Sequence, residues 1–257
     1  MAERPTIDVP SPPGGWGLPW PNVAEMEAVL PHDKWTLVGG LMAQLHGIRA
    51  GIGVIRPTND VDIVLHVETT RGVAATTAVA LESLGYELAP PLDPRVGTAH
   101  RFRRGASTVD LVTSVSDVVD VLVADHVAPR ARQKLHGREM VAIDGGTQAL
   151  RRTINARLQI AEGDTTTVSV PNAFGALVLK AAAFQADPRD PERHVQDAAV
   201  LLCCIEDPYA EREQFAGSDR QRLEVLRRAL PDGAREWRAL TAEQRVNGQA
   251  ALRLLTN

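Results

Sequence analysis

Trp35-Thr-Leu-Val-Gly39-Gly40-Leu-Met-Ala-Gln-Leu-His46-Gly47, followed shortly by Arg56-Pro-Thr58-Asn-Asp60-Val-Asp62-Ile-Val-Leu-His66, decides how this chain is read. An apolar β-type run ends in two glycines, a short helical pattern follows, and a second β-type run opens with two aspartates one residue apart. Side chains alternate along a strand, so Asp60, Asp62, Val64 and His66 share one face and Val61, Ile63, Leu65 and Val67 the other. The apolar face is complete. No Lys or Arg within the run neutralises the aspartate face.

Two carboxylates roughly 7 Å apart on one strand face suit hard divalent cations with oxygen ligands. A metal pair held there can stabilise both the attacking and the leaving oxygen of a phosphoryl transfer. Gly39-Gly40 before a helical segment lets backbone N–H groups approach a phosphate, and the helix N-terminus adds partial positive charge. Each feature alone has a plainer reading: aspartates alternating on a water-facing edge strand, and a glycine pair that only turns the chain. Arg56 and Thr58 beside both favour the phosphate reading.

Working outward, 257 residues with 44 % apolar content provide for one large domain or two modest ones. Cys203 and Cys204 are adjacent within an apolar helical pattern, which fits core packing in a reducing compartment and neither a disulfide framework nor a zinc knuckle. No apolar run is long enough to span a bilayer and no secretory signal is visible, so a cytoplasmic protein with no membrane partner is expected. The net charge of −4 is uneven: residues 1–125 hold 9 Lys/Arg against 15 Asp/Glu, and residues 126–257 hold 19 against 17. Between residues 128 and 158, seven basic residues face only Glu139 and Asp144. This excess suits a phosphate backbone or an ordinary solvated surface.

Residues 1–22 contain six prolines with Trp16 and Trp20 between them, which predicts an extended arm pinned by the tryptophans. A helix is expected from Asn22 to Leu30, a strand at Trp35–Val38, a helix at Leu41–His46, and a helix capped by Thr69-Thr70 running to about Leu84. His100–Arg104 reads as one hairpin arm and Ser107–Thr113 as its return strand. Asp110 on that return strand sits among β-branched residues, where a charge is costly unless paired or metal-bound. If that strand lies beside the aspartate strand, Asp110 completes an oxygen cluster with Asp60 and Asp62. Otherwise it faces solvent. Ser116–Asp125 reads as a short helix with surface acids.

Beyond Arg130 the pattern becomes helical. Glu139–Ile143 and Thr165–Val170 remain candidate strands, and Asn172 starts a helix, Ala173–Phe184, whose apolar surface is interrupted by Lys180. On the next helical pattern Arg193 and Asp197 stand at i,i+4 and can simply pair. Leu223, Leu226, Leu230, Leu240, Val246, Ala250, Leu252 and Leu255 are candidate core positions of a terminal bundle.

The glycine pair followed by R-x-T-x-D-x-D resembles the DNA polymerase β-like nucleotidyltransferase superfamily, and within it the AbiEii/MenT-type nucleotidyltransferase toxins. The resemblance covers roughly residues 34–205 and is most specific in its first half. It implies an α+β fold, a polymerase β-like core of mixed sheet and flanking helices followed by a mainly helical C-terminal domain, divided here as arm 1–22, core 23–135 and helical domain 136–257. It implies catalytic Asp60, Asp62, Asp110, Lys180 and Asp197, with metal held by Asp60, Asp62 and Asp110. Gly39, Gly40, Arg56, Thr58 and Lys180 would bind the nucleotide. Lys180 and Asp197 match the family's lysine helix and the basic and acidic helix after it, although Gln196 stands where relatives often have a basic residue.

The activity so implied moves an NMP from an NTP to a hydroxyl with Mg²⁺ or Mn²⁺ and releases pyrophosphate. The acceptor would be the tRNA 3′ end, in a toxin with a cognate antitoxin. The alternatives are a small-molecule, aminoglycoside-type nucleotidyltransferase with the same metal site, or a degenerate nucleotide-binding module without catalysis.

Overall fold

The structure, a computed structural model, describes residues 4–53, 56–91, 97–105 and 117–257. The first half holds β1 (Thr6–Asp8), α1 (Trp20–Val29), β2 (Trp35–Val38), α2 (Gly39–Arg49), β3 (Asp60–Leu65) and α3 (Val73–Ser83). It continues through β4 (Glu87–Leu88), β5 (Thr98–Ala99), β6 (Arg101–Arg104) and β7 (Asp117–Ala124). The second half adds β8 (Lys134–Leu135), β9 (Arg138–Met140), β10 (Ala142–Ile143), α4 (Gly146–Leu150), β11 (Thr153–Leu158) and β12 (Thr166–Pro171). Five helices close it: α5 (Ala173–Ala186), α6 (Glu192–Cys203), α7 (Pro208–Glu213), α8 (Asp219–Ala229) and α9 (Ala242–Thr256).

The fold is α+β with mixed sheets. The central sheet runs β2-β3-β7-β6-β4, with β10 also on β7. Strands β2 and β3 are antiparallel, β3 and β7 parallel, and β6 antiparallel to β7. One row across it, Val61, Val119 and Phe102, is fully buried, because the register sets Val61 beside Val119 and Val119 beside Phe102. Pleating puts the neighbouring row, Asp62, Asp120 and Arg101, on the opposite face.

Strand β2 and the D-x-D strand lie where the sequence places them. Helix α2 is longer than its predicted core and starts at Gly39 itself (φ 70°). Other expectations change. Within the segment expected as a helix over Ser116–Asp125, the described Asp117–Ala124 form strand β7: Val118, Val119, Val121 and Val123 prefer the pleated surface, and the pairing with β3 and β6 overrides the helix-like spacing of its acids. Asp120 on it is buried, not a surface acid. The Ser107–Thr113 strand lies outside the described residues; the described antiparallel partners of β6 are β4 and β7.

Thr69 and Thr70 do not cap α3. Their N–H groups close a turn onto the His66 carbonyl, and Gly72 leads into the helix. The proline-rich segment is more than an arm, since β1 pairs in parallel with β11. Trp20 is buried within α1, edge-on to Trp16 at 4.8 Å.

One contiguous apolar cluster extends from Val9 through Trp35, Ile63 and Phe174 to Leu255. After residue 135 strands β9 to β12 precede the helices, and the candidate strands Glu139–Ile143 and Thr165–Val170 fall on β9, β10 and β12. Helix α5 is buried nearly all round by its neighbours and is capped by Asn172, whose Oδ1 accepts from Gly175 N–H at 2.8 Å. In the terminal helices Leu223, Leu226, Leu230, Leu240, Leu252 and Leu255 are buried, but Val246 is 58 % exposed, a correction to its expected core position. No described helix is long and apolar enough to cross a membrane.

Candidate functional site

Register builds an acidic cluster at the start of β3. Asp62 lies directly beside Asp120 across the parallel pair, and Asp60 shares their face two residues earlier. One carboxylate oxygen from each of Asp60, Asp62 and Asp120 falls within 4.8 Å of the other two. Asp110, the expected third carboxylate, lies outside the described residues. Among the described residues Asp120 takes that place. The signal for a strand at Asp120 was present in the valine-rich run Asp117-Val-Val-Asp120-Val-Leu-Val, but its acids at i,i+3 also suit a helix.

The three acids differ in their partners. Thr58 Oγ1 donates to Asp60 Oδ1 at 2.8 Å. Arg101, on the neighbouring strand opposite Asp120, grips both of its oxygens, at 2.8 and 2.6 Å, and lowers the cluster's formal charge from −3 to −2. Sequence reading missed Arg101, because a strand's facing residue is set by pairing and not by local pattern. Burial first, then the Asp60 and Asp120 carboxylates, push the Asp62 carboxyl up to about 7 against the pull of Lys180 and Arg193. This group therefore lacks the positive charge it needs. Three carboxylates with hard oxygen donors and a crowded negative charge fit Mg²⁺ or Mn²⁺.

The glycine pair lies against this cluster. A Cβ on Gly39 would come within 1.8 Å of Asp62 Oδ2, and the residue holds φ 70°. A Cβ on Gly40 would lie 2.7 Å from Thr58 Oγ1 and 3.1 Å from the Arg56 guanidinium. The N-terminus of α2 is thus pressed onto the acidic strand and Arg56, with no side chain capping it. Gly39→Ala combines a left-handed backbone with a collision against the Asp62 carboxylate. It is expected to cost about 2–4 kcal/mol and to weaken Mn²⁺ binding at least tenfold, read by urea unfolding and by Mn²⁺ titration. A variant as stable as the parent would show that the close approach is absent in solution.

A cationic wall completes the site. Lys180 on α5 is 4 % exposed, and its Nζ lies 2.7 Å from Asp197 Oδ2 on α6, itself 6 % exposed. Arg56 reaches the same carboxylate, Nε to Oδ1 at 3.3 Å and Nη2 to Oδ2 at 3.0 Å. Burial pushes the Asp197 carboxyl up, but Lys180 and Arg56 outweigh it and hold the group below the usual carboxylate range. Asp197 is therefore a positioning residue that fixes two cations. Arg193 does not pair with Asp197. It reaches Asp187 at 2.8 Å in the loop between α5 and α6.

Two histidines near the site are structural. His46 Nε2 donates to the Pro171 carbonyl at 2.8 Å, and burial pushes its pKa down to about 4, so it is neutral and ties α2 to β12. His66, on the aspartate face of β3, donates through Nδ1 to the Asp33 carbonyl at 2.8 Å and meets Thr36 Oγ1 through Nε2 at 2.7 Å.

The structure thus brings together Gly39, Gly40, Arg56, Thr58, Asp60 and Asp62 from one local stretch, and adds Asp120, Arg101, Lys180 and Asp197 from distant ones. Compared with known proteins, the chain matches no family model, no curated protein and no solved structure.

Proposed function

We propose that the chain is a metal-dependent nucleotidyltransferase that moves an NMP from an NTP to an acceptor hydroxyl and releases pyrophosphate. One observation carries the reading: three convergent carboxylates lie under a glycine-started helix, with two cations held beside them by one buried aspartate. Asp60, Asp62 and Asp120 would hold Mg²⁺ or Mn²⁺. When bound, the metal supplies charge stabilisation at the attacking and leaving oxygens.

The chain's own groups do the rest. The N–H groups at the start of α2 and the Arg56 guanidinium would hold the triphosphate. Lys180 offsets charge that develops on the leaving pyrophosphate. Asp197 keeps both cations pointed, and Thr58 orients Asp60 through its hydroxyl. Gly39 and Gly40 let the start of α2 close onto Asp62 and Thr58.

The acceptor in this reading is the 3′ end of tRNA and the biological role that of a toxin restrained by an antitoxin in the cytoplasm, both by resemblance to the AbiEii/MenT type. Incubation of the purified protein with total tRNA, Mg²⁺ and each labelled NTP in turn tests it. Label is expected on tRNA with one NTP or a related pair, and not with the Asp62→Asn variant. Absence of label with every NTP would reject the tRNA acceptor, and label transferred equally by the variant would reject the site.

A further inference from the structure

We propose that a basic groove at the far end of β3 is a docking site for the sugar–phosphate backbone of an RNA. Two adjoining cavities of about 230 and 720 Å³ meet at Val67, Arg132 and Gln133, beyond the C-terminal end of β3 and away from the carboxylates. The larger is lined by Arg71, Arg130, Arg132 and Lys134 against a single acid, Glu68, and by Gly72 at the N-terminus of α3. Four cations on one concave surface contrast with a chain whose net charge is −4.

These side chains are available. Arg71, Arg130 and Arg132 are exposed and have no hydrogen-bond or ion-pair partner among the described residues. Lys134 is paired with Glu139 at 3.1 Å, on an exposed rim where such a pair is weak. Glu68 is turned into structure, its Oε1 accepting from Ala128 N–H at 3.0 Å. Gln133 fixes the groove wall: its Oε1 accepts from Ala74 N–H at 3.0 Å, and its Nε2 donates to the Thr70 carbonyl at 2.8 Å. The arginines therefore stand on an anchored frame.

The chemistry favours a phosphodiester chain. Guanidinium forks around a helix N-terminus suit phosphate oxygens. A polyanion also needs such an anchor here, because the acidic cluster repels it until cations are bound. From Asp60 to Val67 a strand advances roughly 20 Å. About six nucleotides at ~3.4 Å each cover that length, so one RNA can be held at the groove while its end reaches the carboxylates. This inference rests on the transferase reading for the use made of the RNA, not for its being bound.

The test is fluorescence anisotropy of a labelled RNA hairpin with a single-stranded 3′ end. It is titrated with the full chain between 50 and 200 mM salt, with no NTP present, so binding is read independently of transfer. Arg71→Glu/Arg130→Glu/Arg132→Glu should weaken binding about 30-fold and flatten the log Kd against log salt slope by about 2 to 3, as expected for loss of three phosphate contacts. Arg151→Glu/Arg238→Glu/Arg245→Glu, with the same change in net charge at exposed positions elsewhere, should stay within about threefold of the parent. The milder Arg71→Gln/Arg130→Gln/Arg132→Gln set, checked by thermal melting, covers a misfolded reversal variant.

Any of three results would overturn the groove: no hairpin binding by the parent at 50 mM salt, equal weakening by the distant triple variant, or binding of poly-glutamate as tight as of RNA. Loss of transfer with intact hairpin binding would instead count against the transferase reading alone.

Discussion

Asp62→Asn is expected to lower nucleotidyl transfer by about 10³-fold or more while making the metal-free protein more stable above neutral pH. The carboxylate faces Asp60 and Asp120 and is pushed up to about 7. An acid whose pKa is raised on folding binds more protons in the native than in the unfolded state between its two values. Stability contributed by this group is therefore highest near pH 4 and is lost as pH rises to about 7. At ~1.4 kcal/mol per unit, discounted for partial solvent access, the penalty above pH 7 is about 2–4 kcal/mol. Asparagine keeps the shape and removes the charge. Urea unfolding in EDTA should show the variant more stable than the parent at pH 8 and nearly equal at pH 4. An equal difference at both pH values would mean that Asp62 is not held in a crowd of negative charge. Saturating Mg²⁺ should narrow the gap at pH 8, because only the parent gains a compensating cation.

Lys180→Met is expected to cost about 2–4 kcal/mol of stability as well as activity. Methionine keeps most of the side-chain volume, but Asp197 then remains buried with Arg56 as its remaining cation. Lys180→Met/Asp197→Leu should recover at least half of the lost stability, since the one cation left without its counter-ion, Arg56, is partly open to solvent, yet it should not recover transfer. Denaturant midpoints of the two single variants and the double variant give the coupling directly. A coupling near zero would mean that the Lys180–Asp197 contact at 2.7 Å is not made in solution.

These two expectations concern opposite charges, and the fold explains their proximity. Strand β3 has an apolar face that must be buried and so fixes the acids on the other. Helix α5 is apolar nearly all round, so its one lysine has to find a buried counter-ion, which α6 supplies. Arg56 joins that counter-ion from the loop ahead of β3, linking the helical half of the chain to the glycine pair.

Much of the site was legible in the sequence, but only within local stretches. Strand alternation alone places Asp60 and Asp62 on one face, and two glycines before a helical pattern predict a close backbone approach. Asn172, Lys180 and the helix around them follow from capping and apolar periodicity. Where the reading failed, the deciding contact was distant. Asp117–Ala124 has acids spaced for a helix and valines suited to a strand, and only its place between β3 and β6 resolves the conflict. Val246 satisfies the helical spacing of a core residue, yet the packing of α9 leaves it in solvent.

The sequence by itself determined the acidic strand, a helix after the glycine pair and the lysine inside an apolar helix, because periods of 2 and 3.6 residues are properties of the local backbone. Only the tertiary structure decided that Asp120 joins Asp60 and Asp62, that Arg101 grips it, and that Asp197 binds Arg56 and Lys180 together. Those choices depend on strand register and helix packing between residues 17 to 141 positions apart, and no local pattern encodes which partner a buried charge will meet.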